Sequence, residues 1–212
     1  SPLINRAVAQ YNAGSVFKPV VAAAALENGF DPEELYECTG KEEIGNITMG
    51  CIRHTAHGSE TLRDAISKSC NTYFINMARK TGGSAIVEMA KSLGFSQATK
   101  LGDRYRSSGG HLPDEELLKN PAELANLSFG QGSLTVTPVQ VAGMTAAIAR
   151  GGNYIEPYVV LGLTDENKKI IPQPYSPERH QAMSRETASV LGACMRVAVL
   201  EGTAKGGASD KV

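Results

Sequence analysis

The chain has 212 residues, 42% of them hydrophobic and 20% charged, with a formal net charge of −1 and no Trp. That length supports one domain with a substantial core, and the balance of residue types excludes a disordered chain. Mixed charge of almost zero sum gives no sign of a nucleic-acid partner, and the longest apolar run, Val20 to Leu26, is too short to span a bilayer.

The first expected element is a helix from Ser15 to Asn28 with Gly29 as its C-cap. Its residues Val16, Phe17, Val20, Val21, Ala22 to Ala25 and Leu26 are apolar on nearly every side, which places it at the centre of the domain. Pro19 falls in the first turn, where a missing N–H is tolerated. Asp31 to Gly58 is rich in turn formers and reads as loop with a short hairpin around Gly45-Asn46. A helix is expected over Ser59 to Ser67, with Thr61 and Asp64 at capping-box spacing. Two more follow, Thr72 to Lys80 and Ser84 to Leu93. Gln97 to Pro121 reads as polar and irregular, with Arg104 to Gly110 mobile. Thr137, Pro138 and Gln140 announce a capped helix that runs to Arg150. Tyr154 to Leu163 suggests a strand, with Lys169 to Ile171 as its partner across Asp165-Glu166-Asn167. Gln173 to Gln181 reads as a linker, and Ser184 to Leu200 as a closing helix capped by Gly202.

Two short segments carry chemistry. Ser15 and Lys18 are three residues apart, one turn along a helix, so they share a face. A serine becomes a nucleophile when a base takes its proton and donors hold the developing oxyanion. A lysine does the first if burial keeps it neutral. Ser69-Cys70-Asn71, at a junction between helices, adds a second hydroxyl and a carboxamide that can relay the proton and grip a substrate. S-x-x-K alone turns up by chance about once in a chain of this length, and its ordinary meaning is an N-cap serine followed by a solvated lysine. The pairing with S-x-N reverses that balance and indicates acyl transfer without a histidine base. His54 and His57 read as structural, because lysine chemistry needs neither.

These motifs stand in a longer pattern. Asn5-Arg6-Ala7-Val8, Ala13 to Val20, Ala24 to Gly29, His57-Gly58, Thr61 to Ile66, Ser69 to Phe74, Phe129-Gly130-Gln131-Gly132, Thr137 to Gln140 and Ala149 to Gly152 resemble, in order, a penicillin-binding protein transpeptidase domain. The resemblance covers nearly the whole chain. It implies an α+β fold, predominantly helical here, with residues 1–212 as the central part of a transpeptidase or serine β-lactamase-like domain from which most sheet strands are missing. It implies peptidoglycan D,D-transpeptidation: Ser15 as nucleophile, Lys18 as base, Ser69 as proton relay and Asn71 as substrate and lysine anchor. Gln131, Gly130 and Gly132 would shape the cleft floor. The alternatives are a serine β-lactamase or D,D-carboxypeptidase and, from other classes, a β-lactam sensor or a non-catalytic cell-wall scaffold.

The family's third motif, Lys-Thr-Gly, is expected after Val212. Lys80-Thr81-Gly82 is not that motif, since it ends a helix and lies too close behind Asn71. Ser1 reads as the start of a fragment. The fragment is expected to be soluble and a poor catalyst, because the missing strand supplies an oxyanion donor worth about 10²–10³ in rate. Partners implied by the resemblance are peptidoglycan stem peptides and β-lactams, with the parent protein membrane-anchored on the extracytoplasmic face, within a cell-wall synthesis complex. No cofactor or metal is implied. Cys38, Cys51, Cys70 and Cys194 form no C-x-x-C, which argues against zinc; Cys38 and Cys51 flank the hairpin and suggest a disulfide in an exported protein. Cys70 reads as a packing residue.

Overall fold

A computed structural model describes residues 4–102, 105–160, 162–172 and 176–209. A 3-10 turn, Gly14–Phe17, leads directly into α1, Lys18–Glu27, so the expected first helix begins as the tighter form and carries Ser15 in that turn. Every residue from Lys18 to Ala25 is buried, as an all-apolar helix requires.

The stretch expected to be loop contains three strands: β1, Tyr36–Cys38; β2, Lys41–Ile44; and β3, Ile47–Gly50. β2 and β3 form the expected hairpin, turning at Gly45, whose φ is 60°. β4, Gly58–Glu60, pairs antiparallel with β1, with Cys38 opposite Gly58. Ser59 and Glu60 are therefore strand, and α2 is shorter than expected, Leu62–Lys68. Thr61 holds its N-cap position but makes no side-chain capping bond. α3, Asn71–Thr81, and α4, Gly83–Ser92, follow the expected spans closely.

The segment read as irregular carries β5, Lys100–Gly102, and β6, Tyr105–Arg106; the expected mobility at Arg104 lies outside the described residues. α5, Pro121–Ser128, was not foreseen, although Asn120 caps it by accepting from Ala122 N–H and Pro121 opens it. α6, Pro138–Ala149, has the full capping box: Gln140 N–H donates to Thr137 Oγ1, and Thr137 N–H donates to Gln140 Oε1.

β7 is Asn153–Ile155, β8 Gly162–Thr164, β9 Ile170–Pro172 and β10 Arg179–Gln181. The single expected strand over 154–163 is thus two: β7 pairs with β10, and only β8 pairs with β9. Gln173 to Tyr175 of the expected linker lie outside the described residues, and its end is β10. α7, Arg185–Leu200, is capped by Ser184. Its C-cap is Glu201, not Gly202; a Cβ on Gly202 would lie 2.3 Å from Ser67 O, so glycine there permits close docking under the end of α2.

The fold is α+β: helices α2, α3, α4 and α7 pack around α1, and five two-stranded antiparallel pairs lie among the described residues. No described helix is long and apolar enough to cross a membrane.

Candidate active site

Three chain segments meet at one point. The turn at Ser15 comes from the entry to α1, Ser69 ends α2 and Asn71 begins α3. Ser69 is left-handed, with φ 57° and ψ 46°, a conformation that costs a non-glycine residue about 1–3 kcal/mol and persists where surrounding contacts impose it. The chain turns sharply there and returns Asn71 to the same side.

Lys18 supplies those contacts. Its Nζ donates to Ser69 O at 2.7 Å, to Ser69 Oγ at 2.9 Å and to Asn71 Oδ1 at 2.7 Å. Nζ also lies 5.5 Å from the Phe74 ring centroid. Ser69 Oγ donates to Ser15 Oγ at 2.9 Å. Ser15 is exposed while Lys18 is only 3% accessible, so an open hydroxyl connects through a second hydroxyl to a buried amine. No hydrogen bond joins Ser15 directly to Lys18; the contact runs through Ser69. Burial lowers the Lys18 pKa from 10.5 to about 8, against the opposing charges of Cys70, Cys51 and Glu60.

Asn71 uses both ends of its amide, since Nδ2 donates to Gly50 O at 2.8 Å. The 129–132 loop reaches the same place. Gly14 N–H donates to Gly130 O at 2.8 Å, and a Cβ on Gly130 would sit 2.0 Å from Gly14 O. Gln131 is exposed, with Nε2 3.8 Å from where a Gly14 Cβ would be. Gly132, at φ 74°, turns the loop back toward Asn126. The structure therefore brings Ser15, Lys18, Ser69, Asn71 and the loop of Gly130, Gln131 and Gly132 together.

The expected disulfide is absent. Cys38 and Cys51 are free, their sulphurs 3.8 Å apart. They do not face only each other. Cys51 Sγ is 3.7 Å from Cys70 Sγ, and His57 Nδ1 is 3.6 Å from Cys38 Sγ and 3.8 Å from Cys51 Sγ. The cluster lies directly behind the S-x-N segment, because Cys70 stands between Ser69 and Asn71. The hydrogen bond shared with Cys70 holds the Cys51 thiol well below the usual thiol range against the effect of burial, while the same bond and burial push Cys70 up. Sequence reading missed this grouping because its members lie in separate elements, with no C-x-x-C to mark them. His54 stays outside it, its Nδ1 packed 2.9 Å from where a Gly50 Cβ would sit.

A serine, a buried lysine, a second serine and an asparagine converging at the head of a central helix define a serine acyl-transfer fold of the penicillin-binding type. The chain belongs to the penicillin-binding protein transpeptidase domain family, whose match spans residues 1–212. It is 29% identical over 199 residues to stage V sporulation protein D of Bacillus subtilis, covering 92% of this chain and 30% of that protein. It is 31% identical over 199 residues to peptidoglycan D,D-transpeptidase PbpA of Mycobacterium tuberculosis, covering 90% of this chain and 39% of that protein. Among solved structures, a ceftriaxone acyl-enzyme complex of penicillin-binding protein A from M. tuberculosis superposes with a TM-score of 0.88 at 27% identity, covering 99% of this chain and 48% of the other. The chain thus spans less than half the length of each of these three relatives.

Proposed function

We propose that this chain carries the nucleophile, base and relay of a peptidoglycan D,D-transpeptidase that β-lactams acylate. The observation that carries the reading is the chain of contacts from exposed Ser15 Oγ through Ser69 Oγ to buried Lys18 Nζ. With Lys18 neutral, the direction of that chain reverses: Ser15 donates to Ser69, and Ser69 to Lys18. Ser15 Oγ then attacks the carbonyl of the penultimate D-alanine as its proton passes to Ser69 and the Ser69 proton to Lys18. The tetrahedral intermediate collapses with cleavage of the peptide bond, and the returning proton leaves on the amine of the terminal D-alanine. An acceptor amine from a second stem peptide attacks the acyl-enzyme, forming the cross-link and restoring Ser15. Asn71 holds Lys18 through Oδ1, and Gln131 faces the bound peptide from the neighbouring loop. Stem peptides and β-lactams are the ligands on this reading. The setting is an anchored cell-wall synthesis complex on the outer side of the membrane.

The test is incubation of the full-length protein with a fluorescent penicillin, followed by peptide mapping. Label on the peptide holding Ser15, absent from Ser15→Ala, is the expected result. Label elsewhere, or label that survives that substitution, overturns the assignment. An adduct that persists supports a transpeptidase, whereas one hydrolysed within minutes makes the protein a β-lactamase.

A further inference from the structure

Cys38 ends β1, Cys51 follows β3, His57 precedes β4 and Cys70 caps α3. Their ligand atoms all lie within 4.8 Å of one another, and the three sulphurs are buried. Four ligands at about 2.3 Å (S) and 2.0–2.1 Å (N) around a tetrahedral zinc ion stand about 3.8 Å apart sulphur to sulphur and about 3.6 Å sulphur to nitrogen. Four of the six separations match: 3.8 Å for Cys38–Cys51, 3.7 Å for Cys51–Cys70, and 3.6 and 3.8 Å from His57 Nδ1 to Cys38 and Cys51; the two that involve Cys70 with Cys38 and with His57 lie within 4.8 Å. Thiols packed only as small apolar groups have no reason to meet an imidazole at these distances.

The surrounding groups fit thiolate ligation. Glu60 is fully buried and neither of its oxygens has a hydrogen bond; its nearest basic groups are Lys68 Nζ at 3.3 Å and His57 Nδ1 at 3.7 Å. Thr72 Oγ1 donates to Cys38 Sγ at 3.1 Å, as outer groups do that orient thiolate ligands.

We propose that Cys38, Cys51, His57 and Cys70 bind one zinc ion in a closed tetrahedral site that pins the Ser69–Asn71 segment to the strands behind it. Zinc fits because thiolate and imidazole ligands in this geometry select it. With its thiols deprotonated, the site sets three thiolates and a neutral imidazole around a divalent ion, for a net charge of −1. All four positions are filled by the protein, so the ion has no open position for a substrate and its role is structural. The lever is short: Cys70 is flanked by Ser69 and Asn71, and Asn71 Nδ2 holds Gly50 O, the carbonyl just before Cys51. The assignment does not depend on the reaction proposed above.

Metal analysis of untagged, dialysed protein tests it, with one equivalent of zinc per chain expected. Cys51→Ser and His57→Ala lose the metal, Cys194→Ser outside the cluster keeps it, and His57→Cys, a four-thiolate set, keeps it too. If the loss variants fail to fold, exchange of cobalt(II) into the unsubstituted protein gives the sulphur-to-metal charge-transfer and intense visible bands of a tetrahedral thiolate site. Stripping the metal with a strong chelator speeds amide exchange in residues 69–74. Only trace zinc, zinc retained by folded Cys51→Ser, or a Cys38–Cys51 disulfide in the folded protein overturns the site. Unchanged exchange in 69–74 after stripping overturns the pinning.

Discussion

Lys18 holds both the backbone and the side chain of Ser69, with Nζ 2.7 Å from its carbonyl oxygen and 2.9 Å from its hydroxyl. The base of the proposed reaction is thereby also the fastener of the left-handed turn that carries the relay. Chemistry and local fold depend on one protonation state.

The first prediction concerns that proton. Lys18 must be neutral to accept, and its pKa stands near 8, lowered by burial despite Cys70, Cys51 and Glu60. About one molecule in ten is then competent at pH 7, so acylation by a fluorescent penicillin rises with pH and levels off above about 8. The stability consequence has the same direction. The unfolded chain keeps its lysine proton up to about 10.5, so folding bears the cost of a buried cation below about pH 8 and gains up to roughly 3 kcal/mol as pH rises between the two values. Lys18→Met removes that slope in denaturant titrations at pH 7.5 and 9.5. A flat acylation profile from pH 6 to 9 would refute the assignment of the base.

Ser69→Gly separates relay from fold. Glycine accepts φ 57° without strain, so Tm holds or rises, while the hydroxyl between Ser15 and Lys18 disappears. Acylation drops by about 10²–10⁴ relative to the unsubstituted protein, the usual worth of positioned proton transfer. Retained acylation in a folded Ser69→Gly protein would mean that Ser15 reaches Lys18 by another route.

Gly130→Ala tests the loop that braces the nucleophile. The new Cβ meets Gly14 O at 2.0 Å, a backbone atom that moves only with the Ser15 turn, and φ is 75°. A loss of about 1–3 kcal/mol in stability is expected together with slowed acylation. At Gly132 the nearest atom is a side-chain carbon of Asn126 at 3.2 Å, so Gly132→Ala perturbs Ser15 less. Thermal melts and acylation rates of the two variants make the comparison, and equal effects on acylation would deny Gly130 its special contact.

Much of this site was legible because its residues carry local signals. Ser15 and Lys18 share a helical face, and Thr137, Pro138 and Gln140 spell a capping box that the structure reproduces. What escaped depends on pairing between distant segments. Tyr36–Cys38 is three residues long and, among the described residues, pairs as a strand only with Gly58–Glu60, so neither reads as strand alone. Asn153–Ile155 chose Arg179–Gln181 over a nearer partner, a tertiary choice that alternation cannot encode. Cys38 and Cys51 invited a disulfide because sequence showed them flanking a hairpin. The positions of His57 and Cys70, fixed by β4 and the cap of α3, were needed to see a cluster instead.

Asn71→Asp gives the sharpest test of how the amine is tuned. The substitution leaves an acceptor 2.7 Å from Lys18 Nζ but makes it a carboxylate, and it removes the donor to Gly50 O. A negative charge at that distance favours protonated lysine, opposing the effect of burial. The acylation profile therefore moves to higher pH: activity at pH 7 falls by more than tenfold and partly recovers toward pH 9.5. Asn71→Ala loses both contacts, to Lys18 and to Gly50 O, without adding charge, so it slows acylation with no upward shift of the midpoint. If the two variants gave the same pH profile, Asn71 would act on the substrate alone and the lysine would owe its low pKa to burial without any control from its neighbour.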